Sequence, residues 1–289
     1  MCWGAVGLVT LPADSHVHSE WSWDAPLGSM ERSCAQALDF GLPAIAFTEH
    51  LDHTAWTVAL DGIHADDHLA ALATPDGVLT PPGLDASGYL EAIERCRERL
   101  PGLRILSGLE MGEPHWHAAA CAKVLEAGRF DRVLGSLHCL PDGDRFAEPP
   151  GLYAHRAAAD VVRQYLAEVV RLVTGSGLFS VLAHIDYPVR YWPEHEVGPF
   201  DLSAFEGEFR NALRATAQSG RALEINTRIP VPPTVLNWWH DEGGDAVTFG
   251  SDAHEPSAVA CGFRQAAGMA EALGFRPGRN PYDFWARVD

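Results

Sequence analysis

No stretch of the 289-residue sequence approaches the roughly 18 consecutive apolar residues of a membrane-spanning helix, so no membrane partner is expected. Basic residues are scarce: 21 Lys and Arg stand against 39 Asp and Glu, a formal net charge of −18. That balance argues against nucleic acid as the main partner, because nucleic-acid binders present a basic face. It also opposes an anionic substrate, unless the site carries its own positive charge, as bound metal ions do. No CxxC pair occurs among Cys2, Cys34, Cys96, Cys121, Cys139 and Cys261. Dispersed through a chain this long, they read as reduced thiols and not as a disulfide framework. The N-terminal stretch MCWGAVGLVTLPAD lacks a basic segment ahead of its apolar residues, which argues against a leader and for a cytoplasmic protein. No linker, low-complexity run or internal repeat divides the chain, and one domain over residues 1–289 is expected.

What is present is an alternation. Short apolar runs, read as strands, cover Leu11–His18, Pro43–His50, Leu103–Glu110, Asp131–His138, Phe179–His184, Ala222–Asn226 and Ala246–Asp252. Helical patterns lie between and after them at Ser29–Phe40, Ala86–Leu100, His115–Ala127, Ala154–Thr174, Leu202–Ser219, Pro232–Asp241 and Ser257–Leu273. Gly41, Gly128, Gly175, Gly220 and Gly274 follow helices, as C-terminal stop signals do. The pattern implies an α/β fold of parallel β/α units, which close better as a barrel than as an open sheet. Long connections at 51–84, 141–153 and 186–200 read as lids or binding loops, the first as a specificity loop.

Ligand-type residues recur at the C-terminal ends of these strands: His16 and His18, Glu49 and His50, Glu110, His138, His184, Asn226, then Asp252 and His254. The active site of a parallel barrel lies at that face. Side chains two apart on a strand point the same way, so His16 and His18 form an HxH pair suited to one ion, and Asp252 and His254 repeat the spacing. Any one histidine at a strand end is more often a satisfied polar residue than a ligand. Repetition across most strands outweighs that, since such groups are rarely buried without partners. Imidazole with carboxylate suits zinc, iron or manganese.

The segments DSHVHSEWSWDA, AIAFTEH, ILSGLEMG, VLGSLHCL, VLAHIDYP, LEINT and TFGSDAHEP resemble, in order, those of the PHP superfamily, named for polymerase and histidinol phosphatase domains. Within it the chain looks most like the stand-alone histidinol-phosphate phosphatases. The resemblance implies a distorted (β/α)7 barrel holding two or three divalent metal ions. His16, His18, Glu110 and Asp252 would hold one ion; Glu110, His138 and His184 a second; Asp24, His50 and His254 a third. Asp24 stands where related phosphatases often have His, and a carboxylate there favours manganese or iron beside zinc. The activity implied is hydrolysis of L-histidinol phosphate to L-histidinol and phosphate, a step of histidine biosynthesis. A hydroxide bridging two ions would attack phosphorus in line. Asp24, Asp252 and His254 are the catalytic candidates, with Asp24, His254 or a metal-bound water as alternative sources of the leaving-group proton. The same superfamily contains phosphoesterases acting on nucleotides, cyclic phosphates or general monoesters, and a non-catalytic metal-binding barrel is a further alternative.

The small phosphorylated substrate needs cationic and polar contacts. Arg228, Arg190 and Arg156 are candidates for phosphate, with Asn226 beside Arg228 and His53 facing a loop or the substrate. His115 and His117 read as the start of a helix, Trp238 and Trp239 as packing. Trp21 and Trp23 read equally as pocket wall or loop anchor, and Asp66 and Asp67 as solvated loop surface.

Overall fold

The computed structural model describes residues 10–58 and 67–288. Residues 1–9 of the N-terminal stretch, the middle of the 51–84 connection and Asp66 lie outside the described residues. Seven parallel strands follow one another across one sheet: β1 (Asp14–Val17), β2 (Ala44–Leu51), β3 (Arg104–Gly112), β4 (Arg132–Ser136), β5 (Val181–Leu182), β6 (Ala222–Asn226) and β7 (Ala246–Gly250). The order in the sheet is the order in the chain, as expected for strands joined by helical crossovers.

The sheet curls until its outer strands meet at one end only. Beyond β7 the Asp252 N–H donates to the His16 carbonyl at 2.8 Å, and the His18 N–H donates to the Ala253 carbonyl at 2.8 Å. At the other end an antiparallel hairpin, Phe275–Arg276 with Trp285–Arg287, pairs with Ala246 and Val247 of β7 and occupies that edge. The seam therefore lies at the C-terminal ends of the strands, where the candidate ligands are.

Several expected elements are shorter than their apolar runs. β1 stops at Val17, because His18 turns away to pair with Ala253. Phe179–His184 yields only Val181–Leu182. The first turns read for His115–Ala127 and Ala154–Thr174 are not helical; those helices are Ala118–Leu125 and Ala158–Gly175. The patterns at Leu202–Ser219 and Ser257–Leu273 each come with a leading 3₁₀ turn, Leu202–Phe205 ahead of Glu206–Gln218 and Pro256–Ala258 ahead of Phe263–Ala272. Of the glycines read as stops, Gly41, Gly220 and Gly274 adopt positive φ, whereas Gly175 is the last residue of its helix.

Two of the long connections pair with each other. Trp56–Thr57 and Val78–Leu79 from the first join Leu140–Asp142 and Arg145–Ala147 from the second in a four-stranded sheet. The third forms a 3₁₀ turn, Tyr187–Tyr191, and a short helix, Glu194–Val197. Trp238 and Trp239 are buried, as expected of packing residues. The five described cysteines are free, and no described helix is long and apolar enough to cross a membrane.

One tyrosine ties a crossover helix to the sheet. Tyr89, on Ala86–Arg99, is fully buried; its hydroxyl donates to the Phe47 carbonyl at 2.7 Å and accepts the Gly108 N–H at 2.8 Å. Removing that oxygen strands two backbone groups, at a cost of about 1–3 kcal/mol. Tyr89→Phe is expected to lower the urea midpoint accordingly without changing metal content; an unchanged midpoint would show the hydroxyl to be dispensable.

Candidate metal centre

Nine side chains from six of the seven strand ends and the loop after β1 converge, with Glu110, which β3 delivers to the centre of the cup, in their midst. Glu110 Oε2 lies 3.1 Å from His16 Nε2, 3.4 Å from His18 Nε2 and 3.2 Å from His50 Nδ1. Its other oxygen lies 2.7 Å from His184 Nε2 and 3.3 Å from His138 Nε2. Asp252 Oδ1 closes the first side, 3.9 Å from His16 Nε2 and 3.7 Å from His18 Nε2. Asp24 Oδ2 lies 3.1 Å from both His50 Nε2 and His254 Nε2. The sequence-predicted ligands are thus all brought together. Their neighbourhoods overlap: donor atoms of His18, His50 and His254 also lie within 4.8 Å of one another, as do those of His50, Glu110 and His138.

β7 ends at Gly250, and Asp252 sits at φ 54°, a left-handed conformation that costs a non-glycine residue of order 1 kcal/mol or more. Asp252 and His254 converge because the chain bends there, not because a strand alternates. They also face different groups, Asp252 the His16–His18 pair and His254 the Asp24–His50 pair.

The outer contacts of the imidazoles reveal what the centre requires. His16 Nδ1 lies 2.6 Å from Glu224 Oε1, so a neutral His16 keeps its proton there and turns a bare Nε2 inward. The Ser22 hydroxyl donates to Glu49 at 2.5 Å and so accepts from His18 Nδ1 at 2.9 Å, which leaves His18 Nε2 bare as well. These two nitrogens face each other at 3.0 Å. Two lone pairs that close need a positive charge between or beside them. The protonation tendencies agree. Burial opposes charging His16, but Glu224, Glu110 and Asp252 override it and hold its pKa well above the ordinary value. Burial, reinforced by His50 and His254, pushes His18 down to about 3. Burial likewise opposes ionising Glu110 and Asp252, yet the surrounding imidazoles, and for Asp252 also Arg190, keep both well below the usual carboxylate range. Asp24 Oδ1, His50 Nδ1 and His184 Nδ1 are buried without a hydrogen-bond partner. A donor set of imidazoles and carboxylates with unsatisfied atoms converging on one cavity fits divalent metal ions.

Glu224 is a functional contact that the reading of strand ends did not single out; Glu49, read there beside His50, accepts from Ser19 and Ser22 behind the centre. Glu224 holds His16 and also accepts the His184 N–H at 2.8 Å, although it precedes Asn226 in the same LEIN run. Gly250 makes room for it, since a Cβ there would lie 2.2 Å from Glu224 Oε1. A glutamate inside an otherwise apolar strand was the available signal.

The centre floors a cleft of about 520 Å³. Arg190 is buried in its wall; Nη1 donates to Asp252 at 2.7 Å, while Nε and Nη2 have no partner. Arg228 stands at the mouth, half exposed, 3.7 Å from Asp252 Oδ1. Asn226 is buried behind the centre and donates to Glu224 and Asp252, both at 3.2 Å, so it braces ligands and does not line the cleft. Arg156 is a correction: its guanidinium is engaged by Asp142, the Pro141 carbonyl and Gln164, away from the cleft. His53 also lies outside the cleft lining, its ring 5.8 Å from that of His117. Trp23 lines the cleft, whereas Trp21 packs against Tyr89.

Comparison with known proteins agrees with this geometry. The histidinol-phosphatase of Lactococcus lactis subsp. lactis is 27% identical over 258 residues, covering 83% of each chain. A Deinococcus radiodurans protein named "Probable histidinol-phosphatase" is 28% identical over 270 residues, covering 89% of this chain and 91% of its own. The crystal structure of histidinol phosphate phosphatase from Lactococcus lactis, complexed with zinc, L-histidinol and phosphate, superposes with a TM-score of 0.76 at 22% identity, over 96% of this chain and 98% of that one. At that identity the likeness establishes the fold. The description "PHP domain" matches residues 14–228, about three quarters of the sequence, and the chain belongs to the PHP domain family.

Proposed function

We propose that this chain is a metal-dependent phosphoric monoester hydrolase that converts L-histidinol phosphate to L-histidinol and phosphate. The observation that carries the reading is the convergence of His16 Nε2 and His18 Nε2, 3.0 Å apart, on Glu110 and Asp252. The family membership and the names of the relatives set the substrate. On this reading the sheet is a distorted (β/α)7 barrel forming one domain with its loops. One ion is held by His16, His18, Glu110 and Asp252, a second by Glu110, His138 and His184, and a third by Asp24, His50 and His254. Zinc, manganese and iron all suit this donor set.

Bound ions supply Lewis acidity and a water activated near neutral pH. The chain supplies the rest. The two unpartnered nitrogens of Arg190 form a fork matched to phosphate oxygens, and burial keeps water from competing for them. Arg228 adds positive charge at the mouth. The Asp24–His254 pair, about one fifth exposed, is placed to return a proton to the leaving oxygen. Asp52, Glu113 and Glu148 line the same cleft and give it an acidic wall. That wall favours a leaving group carrying an ammonium, as histidinol does, over a nucleoside.

Four measurements test the reading. Purified protein should contain two or three divalent ions per chain by elemental analysis, and exhaustive chelation should abolish turnover until metal returns. Phosphate release should prefer L-histidinol phosphate over nucleotides and simple aryl phosphates; broad or nucleotide-selective turnover would assign the chain to another phosphoesterase activity of the family. His18→Ala should lose metal and turnover together, while full activity with normal metal content would remove His18 from the centre. Arg190→Gln should lower kcat/KM by roughly 100-fold or more with the metals retained; an unchanged value would free Arg190 from substrate binding.

A further inference from the structure

Asp52 has no role in the ligand sets above, yet it is buried beside two of them. Its Oδ2 lies 3.3 Å from His50 Nδ1, and its Oδ1 lies 3.4 Å from His138 Nδ1. The two imidazoles belong to different ligand sets, His50 facing Asp24 through Nε2 and His138 facing Glu110 through Nε2. A ligating imidazole uses one ring nitrogen for the ion and needs an acceptor for the proton on the other. Neither contact is a formed hydrogen bond, since His50 Nδ1 and Asp52 Oδ1 have no partner, but Asp52 is the carboxylate that reaches both outer nitrogens; Glu110 Oε2, 3.2 Å from His50 Nδ1, is itself committed to the centre.

The carboxylate is held from outside. The Trp23 indole N–H donates to Oδ2 at 2.9 Å. On the opposite side the backbone of Gly112 lies so close that a Cβ there would stand 2.1 Å from Oδ1 and 3.5 Å from His138 Nδ1. Gly112 is in β3 with ordinary strand dihedrals, so its lack of a side chain serves space and not backbone conformation. The groups facing Asp52 are His50, His138 and Trp23; among the described residues it has no Lys or Arg partner within ion-pair distance.

We propose that Asp52 is a shared positioning residue: one carboxylate, seated in the space left by Gly112, fixes the ring orientation and tautomer of both His50 and His138 and so couples occupancy of the two ion sites they serve. The inference rests on the metal-centre reading but not on the substrate. One negative charge with two oxygens does for two imidazoles what Glu224 does for His16 alone. Loss of Asp52 therefore weakens two sites together and spares the site built on His16 and His18.

The test is metal stoichiometry of the full chain, measured by elemental analysis after dialysis against graded chelator and repeated with zinc and manganese. Asp52→Asn keeps the shape and an acceptor for Trp23 but puts an amide N–H against one of the imidazole protons. It is expected to bind the ions at the His50 and His138 sites roughly 10-fold to 100-fold more weakly, while the His16–His18 ion stays. Gly112→Ala changes no charge and displaces the carboxylate sterically, and the same two ions should weaken. Melting in excess metal and far-ultraviolet circular dichroism report whether each variant folds. If one variant fails to fold, the other decides. Wild-type stoichiometry and chelator sensitivity in a folded variant would overturn the proposal, as would uniform loss of every ion. Normal coupling of the ions in a protein inert toward L-histidinol phosphate would instead leave the proposal standing and remove the substrate reading.

Discussion

The architecture depends on an excess of buried negative charge at one end of the sheet. Glu110, Asp252 and Asp24 converge on the centre, with Asp52, Glu224 and Glu49 immediately behind them. The one arginine sunk among them is Arg190, already shared with Asp252. Unpaired ions of one sign are not tolerated in a low-dielectric interior, because each forfeits several kcal/mol of hydration. The imidazoles soften the imbalance only by taking up protons, and His18, stacked against His50 and His254 with ring centroids 4.2 and 4.3 Å away, cannot do so. Divalent cations resolve the imbalance. The same requirement reconciles a chain of net charge −18 with an anionic substrate.

What could be read in the sequence was set by periodicity. β6 at Ala222–Asn226 coincides with its apolar run because β7 pairs with it from Leu223 to Asn226. β5 shrank to two residues because only Val181 and Leu182 have partners on both sides. All nine residues that converge on the centre were legible, His16 and His18 from their spacing and the others from their places in family-like segments. The left-handed turn at Asp252 was not, since nothing in FGSDAHEP marks an aspartate at positive φ. Arg156 illustrates the opposite limit: arginines near the cleft look alike in sequence, and only packing reveals that Asp142 has already claimed this one.

The supporting residues were the least legible part. Glu224, Ser22 and Asp52 sit one or two positions from recognised residues and act through imidazole nitrogens that no spacing rule addresses. Their signal is of another kind. A carboxylate in an apolar strand, or a glycine in a strand interior without a positive φ, marks a place where something must be admitted, as Gly250 admits Glu224. The three long connections were legible as excursions, but the pairing of two of them into a small sheet depends on their meeting in space.

The seam between the outer strands has a consequence for how the molecule assembles. The bonds from Asp252 to His16 and from His18 to Ala253 join positions more than 230 residues apart in sequence, and the same residues face the centre. Closure entropy must be met before such distant partners gain anything from contact. Cations held by these residues would fasten the seam as well as serve the chemistry, because a ligand that binds only the folded arrangement stabilises it.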